Sequence, residues 1–237
     1  MKKYFPKVLF FPMIFVFFTL SVKLVDVQPV GPLESEIGWA SINYPVNAFF
    51  AEHQFLGGQH FWYTLTNVFG IVAILTAAAF ACLGLVQLIR RRSLLKVDKE
   101  IIMLGVVYAV TIVLYVIFEK IAVNFRPVLE DGVLEPSYPS THTMLVFSIL
   151  GTAVFAFPRY IKGKKLLTAA KAASIAVIAL TVLGRLVCGV HWLTDIIGGV
   201  FLSVSIIIFY KVAISDETAN TGDTANATNT AETNKEN

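Results

Sequence analysis

The chain has few charged residues for its length. Only 15% of its 237 residues are Asp, Glu, Lys or Arg, whereas soluble domains carry about 25%. Hydrophobic residues make up 56% of the chain, and the mean hydropathy is +0.71. This balance argues against a soluble globular enzyme, a disordered chain or a nucleic-acid-binding protein, so no nucleic-acid partner is expected. The composition instead predicts an integral membrane protein.

Cysteine and clustered metal ligands are equally scarce. The two cysteines, Cys82 and Cys188, both lie in apolar stretches, which favours free packing residues over a disulfide framework. No group of carboxylates indicates a metal site. His53 and His60 lack further ligands nearby, so the sequence predicts no metal and no cofactor.

Six apolar stretches approach the roughly 20 residues that a membrane-spanning helix needs. They cover about 8–25, 62–89, 101–118, 143–158, 167–184 and 196–214. The sequence therefore predicts an all-α, polytopic bundle of six transmembrane helices over residues 1–214. A cleaved signal peptide is the alternative for the first stretch, but no convincing small-residue cleavage site follows it.

The residues after the last stretch have a different composition. Residues 215–237 are rich in Asn, Thr, Asp and Glu and have almost no apolar content. Such a segment cannot bury enough surface to offset the entropy of ordering. We predict a disordered, cytoplasmic tail.

The placement of Lys and Arg predicts the orientation. Fifteen of the 19 basic residues fall at the two termini and in the second and fourth connections. Cytoplasmic loops collect positive charge, so both termini are expected in the cytoplasm and loops 26–61, 119–142 and 185–195 outside. Lys23 can snorkel from a helix end. The remaining three cations, Lys120, Arg126 and Arg185, need another explanation.

One outward segment pairs a histidine with a carboxylate. His191 and Asp195 are spaced i, i+4, so on a helix they share a face. A carboxylate that accepts from one ring nitrogen leaves the other free as a nucleophile or base. Gly184 and Gly189 flank a possible helix break that would turn Arg185 inward. The simpler alternative is an interfacial histidine beside an aspartate, with Arg185 snorkelling.

A second outward segment supplies two cations. Pro127 disfavours helix at Arg126, so the third span is expected to end near that guanidinium. Lys120 lies six residues earlier, and the two cations can converge on one anion when the helix ends between them. An ordinary basic helix terminus is the alternative.

The third outward segment begins a helix. Ser140 and Thr141 are suited to cap the fourth span, and a helix N-terminus offers free N–H groups to an anion. His142 follows directly, close enough to donate a proton to a leaving group. A simple cap followed by a buried histidine is the alternative.

In combination these segments resemble the type 2 phosphatidic acid phosphatase (PAP2) superfamily. Its signature is Lys-x6-Arg-Pro, then Pro-Ser-Gly-His, then Ser-Arg-x5-His-x3-Asp, and the resemblance covers about residues 60–214. Arg185 through Asp195 matches the third part. Three positions differ: Gly184 replaces Ser, Thr141 replaces Gly, and Lys120 is one residue too close to the arginine, with Glu119 at the expected position.

The resemblance implies a bacterial membrane phosphatase acting on lipid phosphates without a metal. By this resemblance His191 attacks phosphorus to form a phosphohistidine, Asp195 orients His191, and His142 protonates the departing oxygen. The implied phosphate-binding residues are Lys120, Arg126, Ser140, Thr141 and Arg185. Implied substrates are undecaprenyl pyrophosphate, phosphatidylglycerophosphate, phosphatidic acid and diacylglycerol pyrophosphate, presented by the bilayer at the outer face of the cell membrane.

Two other functions stay open at this point. The same phosphohistidine can pass its phosphate to a second lipid, which would make the protein a phosphotransferase. A catalytically inactive lipid-binding protein is the other alternative, and the displaced Lys120 is its best support. The sequence predicts no particular oligomeric state.

Overall fold

The computed structural model describes residues 5–53 and 57–233, which form seven α-helices. They are α1 (Phe5–Leu24), α2 (Ala40–His53), α3 (Gly58–Arg91), α4 (Lys99–Lys120), α5 (Thr141–Tyr160), α6 (Lys164–Val187) and α7 (Leu193–Thr233). The same residues contain isolated β-bridges but no named strand. The all-α class predicted from the sequence is therefore confirmed. Of the two cysteines, Cys188 is buried and Cys82 is exposed.

Most of these helices are long and apolar enough to cross a membrane. Among the described residues, α3 to α6 and the first part of α7, Leu193–Ser215, meet this condition, and α1 contributes a shorter apolar helix, Val8–Leu24. About six apolar helices thus account for the six predicted spans. Each can cross the bilayer because a helix satisfies its own backbone hydrogen bonds. The additional helix α2 lies in the loop predicted for residues 26–61.

Helix α5 lies at the centre of the bundle. In its most apolar window 56% of the residues are buried, compared with 22% in α4 and 11% in α6. It packs against α3, α4, α6 and α7. At Gly151 an added Cβ would collide with the Ile207 side chain, so the missing side chain allows α5 and α7 to approach closely, as small residues do in membrane bundles.

The two ends of the bundle differ in composition. At one end, which we call the site end, lie residues 121–140 between α4 and α5, residues 188–192 between α6 and α7, and residues 25–53 after α1. The opposite, basic end carries most of the Lys and Arg residues. There Asp98 accepts from Arg91 at 2.8 Å, Gln87 at 2.9 Å and Tyr160 at 3.2 Å.

The C-terminal part of α7 is helical in the structure, although the sequence predicts a disordered tail there. The helix continues to Thr233, whereas the sequence predicts disorder for residues 215–237, of which 234–237 lie outside the described residues. Thr, Asn and Gly have poor helix propensity. A disordered tail, and a boundary between the bundle and the tail at residue 214, stay predictions. Fast amide hydrogen exchange in the tail would support them.

Candidate active site

His191 lies in the short connection between α6 and α7. Gly189 makes the turn with φ +72°, a conformation that side chains rarely adopt. His191 is 1% exposed, and its Nδ1 is 3.6 Å from Asp195 Oδ2. The sequence predicts this pairing, but not its geometry: His191 precedes the first residue of α7 and does not share a helix face with Asp195.

Two donors fix the carboxylate of Asp195. Its Oδ2 accepts from the backbone N–H of Trp192 at 2.9 Å and from the hydroxyl of Ser137. Ser137 Oγ is also 3.1 Å from His191 Nδ1. Because the carboxylate can only accept, these contacts place a hydrogen on Nδ1 and leave Nε2 as the free nitrogen.

The surroundings keep His191 neutral. Burial lowers the pKa of His191 well below its usual value, and the positive charges of Arg185 and Arg126 lower it further. Nε2 is buried and has no hydrogen-bond partner in the described part of the chain. A neutral imidazole with a free lone pair is the form that acts as a nucleophile.

Arg185 brings a buried cation to the same place. It is 1% exposed, its Nη1 donates to Thr66 Oγ1 at 3.4 Å, and its guanidinium carbon is 5.3 Å from the centre of the Tyr63 ring. Its Nε has no hydrogen-bond partner among the described residues. A buried cation without a carboxylate partner strongly favours an anionic ligand.

The helix break expected between Gly184 and Gly189 comes after Arg185, so it is not what turns Arg185 inward. Helix α6 continues through Gly184 to Val187, so only Gly189 interrupts it. Gly184 has a different structural role: a Cβ there would lie 2.7 Å from Thr66 Cγ2 and 2.8 Å from Trp62 Cε3. Glycine therefore lets α3 approach α6 closely enough for Thr66 to reach Arg185.

Arg126 lies in the α4–α5 connection and is already paired. Its Nη1 is 2.6 Å from Glu130 Oε2, and its Nε is 3.4 Å from Glu135 Oε2. The indole N–H of Trp192 donates to Phe125 O at 2.7 Å, which ties this connection to the start of α7. Arg126 is thus close to the histidine, but its charge is shared by two carboxylates that the sequence did not single out.

Ser140 and the next two residues form the start of α5. Ser140 is its N-cap, and its hydroxyl accepts from Thr143 N at 3.4 Å, as the sequence predicts. Its own backbone N–H donates to Asp195 O at 2.9 Å, which fixes the N-terminus of α5 against the first turn of α7. His142 and Thr141 follow in the first turn, and His142 is within electrostatic range of His191 and the two arginines.

A cavity of about 510 Å³ opens beside His142, between α3, α4 and α5. Its aliphatic lining residues come from α3 and α5, whereas polar lining residues come from all three helices and from the α4–α5 connection. The lining residues are Asn67, Gly70, Ile71, Ile74, Tyr115, Glu119, Arg126, Glu135, Thr141, His142 and Leu145. The mixed lining suits an amphiphile whose polar head lies beside His142.

Lys120 does not lie with the other predicted phosphate ligands. It ends α4 with an exposed side chain and does not line the cavity, whereas its neighbour Glu119 does. A phosphate contact by Lys120 stays a prediction, and in this structure the cavity position belongs to a carboxylate.

Residues 26–53 cover the site end through buried polar contacts. Asn43 Nδ2 donates to Thr194 Oγ1 at 2.9 Å, and Thr194 N donates back to Asn43 Oδ1 at 3.1 Å. Gly38 N donates to Asn124 Oδ1 at 3.1 Å, and Asn47 Nδ2 donates to Gly189 O at 3.2 Å. This segment therefore stabilises the α4–α5 connection, which carries Arg126, and the α6–α7 connection, which carries His191.

Comparisons with known proteins bear on the fold and on the family. No curated protein matches the chain. The fold is similar to that of a transmembrane PAP2 type phosphatidylglycerolphosphate phosphatase from Bacillus subtilis, with a TM-score of 0.62 and 16% identity over 90% of this chain and 97% of that chain. The model of the PAP2 superfamily matches residues 102–219, which include every candidate site residue. The chain therefore belongs to the PAP2 superfamily.

Proposed function

We propose that this protein is a membrane phosphatase that hydrolyses a lipid phosphate or pyrophosphate through a phosphohistidine intermediate. The observation that carries the proposal is the buried His191, whose Nδ1 is engaged and whose Nε2 is free. Beside it lies Arg185, a buried cation for which the described residues provide no carboxylate partner. Membership of a phosphatase family supports the same conclusion.

The proposed reaction has two displacements at phosphorus. His191 Nε2 forms a bond to phosphorus while the bond to the leaving oxygen breaks, and His142 gives that oxygen its proton. Water then attacks the phosphohistidine, His142 takes up a proton from the water, and the nitrogen–phosphorus bond breaks to release inorganic phosphate. The first step uses the proton of His142 and occupies Nε2 of His191, and the second step restores both.

Charge neutralisation comes from the chain itself in this proposal. Phosphoryl transfer depends mainly on positioning and on stabilising the charge of the phosphoryl oxygens. Arg185 is ready to accept an anion, Arg126 can exchange its carboxylates for phosphate, and the N-terminus of α5 offers the N–H groups beyond Ser140. These groups supply the positive charge that a divalent cation supplies in many phosphatases, so we expect activity without added metal.

The cavity supports a lipid substrate. Ile71, Ile74 and Leu145 form an apolar wall beside His142, where an acyl or prenyl chain would lie while the phosphate reaches His191. Candidates are phosphatidylglycerophosphate, undecaprenyl pyrophosphate, phosphatidic acid and diacylglycerol pyrophosphate. The substrate of the similar Bacillus subtilis phosphatase favours the first of these.

The orientation is part of the proposal. The basic end of the bundle carries most of the Lys and Arg residues, and this distribution favours the cytoplasmic side for that end. The site end would then face outward, and both termini would be cytoplasmic. A cysteine introduced within residues 25–53 tests this placement. In intact cells, a membrane-impermeant thiol reagent should label that cysteine if the site end faces outward.

The experiment that tests the function is a panel assay with the purified full chain in detergent. Phosphate release from each lipid phosphate is measured with EDTA present, and His191→Ala is expected to lower kcat at least about a thousandfold. His60→Ala is the matched control, because His60 is exposed and outside the site. Turnover by His191→Ala at the wild-type rate would refute the mechanism.

The same assay separates the alternatives. If the labelled phosphate is found on a second lipid and not as inorganic phosphate, the protein is a phosphotransferase. If no lipid phosphate is turned over but the lipids still bind, the protein is a catalytically inactive lipid-binding protein. The exposed Lys120 and the presence of Glu119 in the cavity would then explain the lack of activity.

A further inference from the structure

Ser137 lies between the two residues that the motif pairs directly. Its hydroxyl contacts Asp195 Oδ2 and is 3.1 Å from His191 Nδ1, whereas the direct distance from Nδ1 to Oδ2 is 3.6 Å. The direct distance exceeds that of a hydrogen bond. We propose that Ser137 is a positioning residue through which Asp195 acts on His191; this inference rests on the proposed phosphatase function.

The number of available hydrogens fixes the direction of both bonds. Ser137 has one hydroxyl hydrogen, and the carboxylate of Asp195 can only accept, so the hydroxyl donates to Asp195. The lone pairs of Ser137 Oγ then accept from the hydrogen on His191 Nδ1. The reverse arrangement would place the hydrogen on Nε2 and remove the lone pair that attacks phosphorus.

The chain holds this hydroxyl in place from both sides. Ser137 is 3% exposed, and its backbone N–H donates to Asn124 O at 2.9 Å. The next residue, Tyr138, is buried, and its hydroxyl is 2.8 Å from Thr19 Oγ1. Three residues after Ser137, the backbone N–H of Ser140 donates to Asp195 O, so the segment that carries Ser137 is attached to the same turn as the carboxylate.

The positioning role affects the transition state more than substrate binding. When Nε2 attacks phosphorus, the imidazole ring becomes positively charged, and the oriented hydroxyl and the carboxylate behind it stabilise that charge. No proton has to move along the relay. Ser137 is not among the residues that line the cavity, so its loss is expected to lower kcat while KM changes little.

The test compares hydroxyl-free variants with a matched serine. Ser137→Ala is expected to lower kcat about tenfold to a hundredfold, with KM within about threefold of wild type. Ser137→Thr, which keeps the hydroxyl, is expected to recover part of kcat. Ser148→Ala is the control, because Ser148 is fully buried in α5 and its hydroxyl has no partner among the described residues; it should keep wild-type turnover.

Single-turnover formation of the phosphohistidine provides the readout that a general loss of stability would not reproduce. That rate should fall in parallel with kcat, while thermal unfolding in detergent stays close to that of the Ser148→Ala control. If Ser137→Ala does not fold, Ser137→Cys carries the comparison, because a thiol keeps the volume but is a weak donor.

The outcomes distinguish this inference from the proposed function. If His191→Ala is inactive but a folded hydroxyl-free variant at Ser137 keeps kcat within threefold of wild type, the positioning role is wrong and the phosphatase function stands. A Ser137→Thr variant as slow as Ser137→Ala also counts against the hydroxyl. If His191→Ala is as active as wild type, the phosphohistidine mechanism itself fails, whatever the Ser137 variants show.

Discussion

Gly184 offers a test of the helix packing that positions Arg185. A serine is usual at this position in the superfamily, so a substitution that restores a side chain would be expected to help if the motif alone governed the site. The structure predicts the opposite. An added Cβ would lie 2.7 Å from Thr66 Cγ2 and 2.8 Å from Trp62 Cε3, closer than non-bonded carbon atoms normally approach.

The magnitude follows from two opposing effects. Forcing an extra carbon into a packed interface typically costs about 1–3 kcal/mol, whereas replacing glycine by alanine inside a helix contributes about 1 kcal/mol of stability. We therefore expect Gly184→Ala to lower the free energy of unfolding by up to about 2 kcal/mol. For a chain of this size each kcal/mol corresponds to about 2–4 °C in Tm.

The control is Gly105, which is also inside a helix but has no atom within 4 Å of an added Cβ. Gly105→Ala is expected to keep or slightly raise Tm, since only helix propensity changes there. Thr66→Ser removes the methyl group that an added Cβ would meet and keeps the hydroxyl that Arg185 contacts. It should therefore partly rescue Gly184→Ala, with the contact to Trp62 limiting the recovery.

Thermal unfolding in detergent and phosphate release measure the two consequences. Gly184→Ala should lose both stability and activity, because a displaced Thr66 no longer orients Arg185. If Gly184→Ala unfolds at the same temperature as Gly105→Ala, or if Thr66→Ser gives no rescue, the close approach of α3 and α6 is not what holds the arginine.

Three further predictions concern charge. Burial, and after it the charge of Arg185, lowers the pKa of His191. The loss of kcat/KM on the acid side, corrected for ionisation of the substrate phosphate, should therefore occur below pH 6.5. The free energy of unfolding should also fall below pH 6.5, since only the unfolded chain takes up a proton on this histidine there. A limb at pH 6.5 would contradict this environment. The exchange Glu119→Lys, Lys120→Ala puts a cation into the cavity and should tighten inhibition by inorganic phosphate about threefold to tenfold, whereas unchanged inhibition would mean that this wall does not face the phosphate. Asp98→Ala leaves three donors at the basic end without their acceptor and should cost about 1–3 kcal/mol of stability with kcat unchanged; an unchanged Tm would show that water replaces the carboxylate.

The sequence predicts the helices well because the bilayer allows few alternatives. An apolar run of about 20 residues has to form a helix to satisfy its backbone, so α3 to α6 follow from composition alone. The cap at Ser140 follows from an equally local rule. The pairing of His191 with Asp195 was also predictable, since four residues cannot separate them far.

The contacts that complete the site could not be predicted in this way. Ser137 is 54 residues from His191 in the chain, and Thr66 is 119 residues from Arg185, so neither contact leaves a pattern in local spacing. The packing role of Gly184 could not be predicted for the same reason. In the sequence, Gly184 and Gly189 only indicate a helix break between them, whereas the structure shows that Gly184 allows α3 and α6 to approach closely.

The two arginines of the site are in different electrostatic states, and this difference orders the proposed binding event. Arg185 is 1% exposed and forms no ion pair with a carboxylate of the described residues, so phosphate can bind it without displacing such a partner. Arg126 is held at 2.6 Å by Glu130 and at 3.4 Å by Glu135, so its contact with phosphate requires an exchange of one anion for another. Because a buried unpaired charge is costly, the free state is raised in energy most at Arg185, and phosphate binding relieves that cost. Arg185 is therefore expected to supply most of the affinity, while Arg126 favours an anion able to displace a carboxylate.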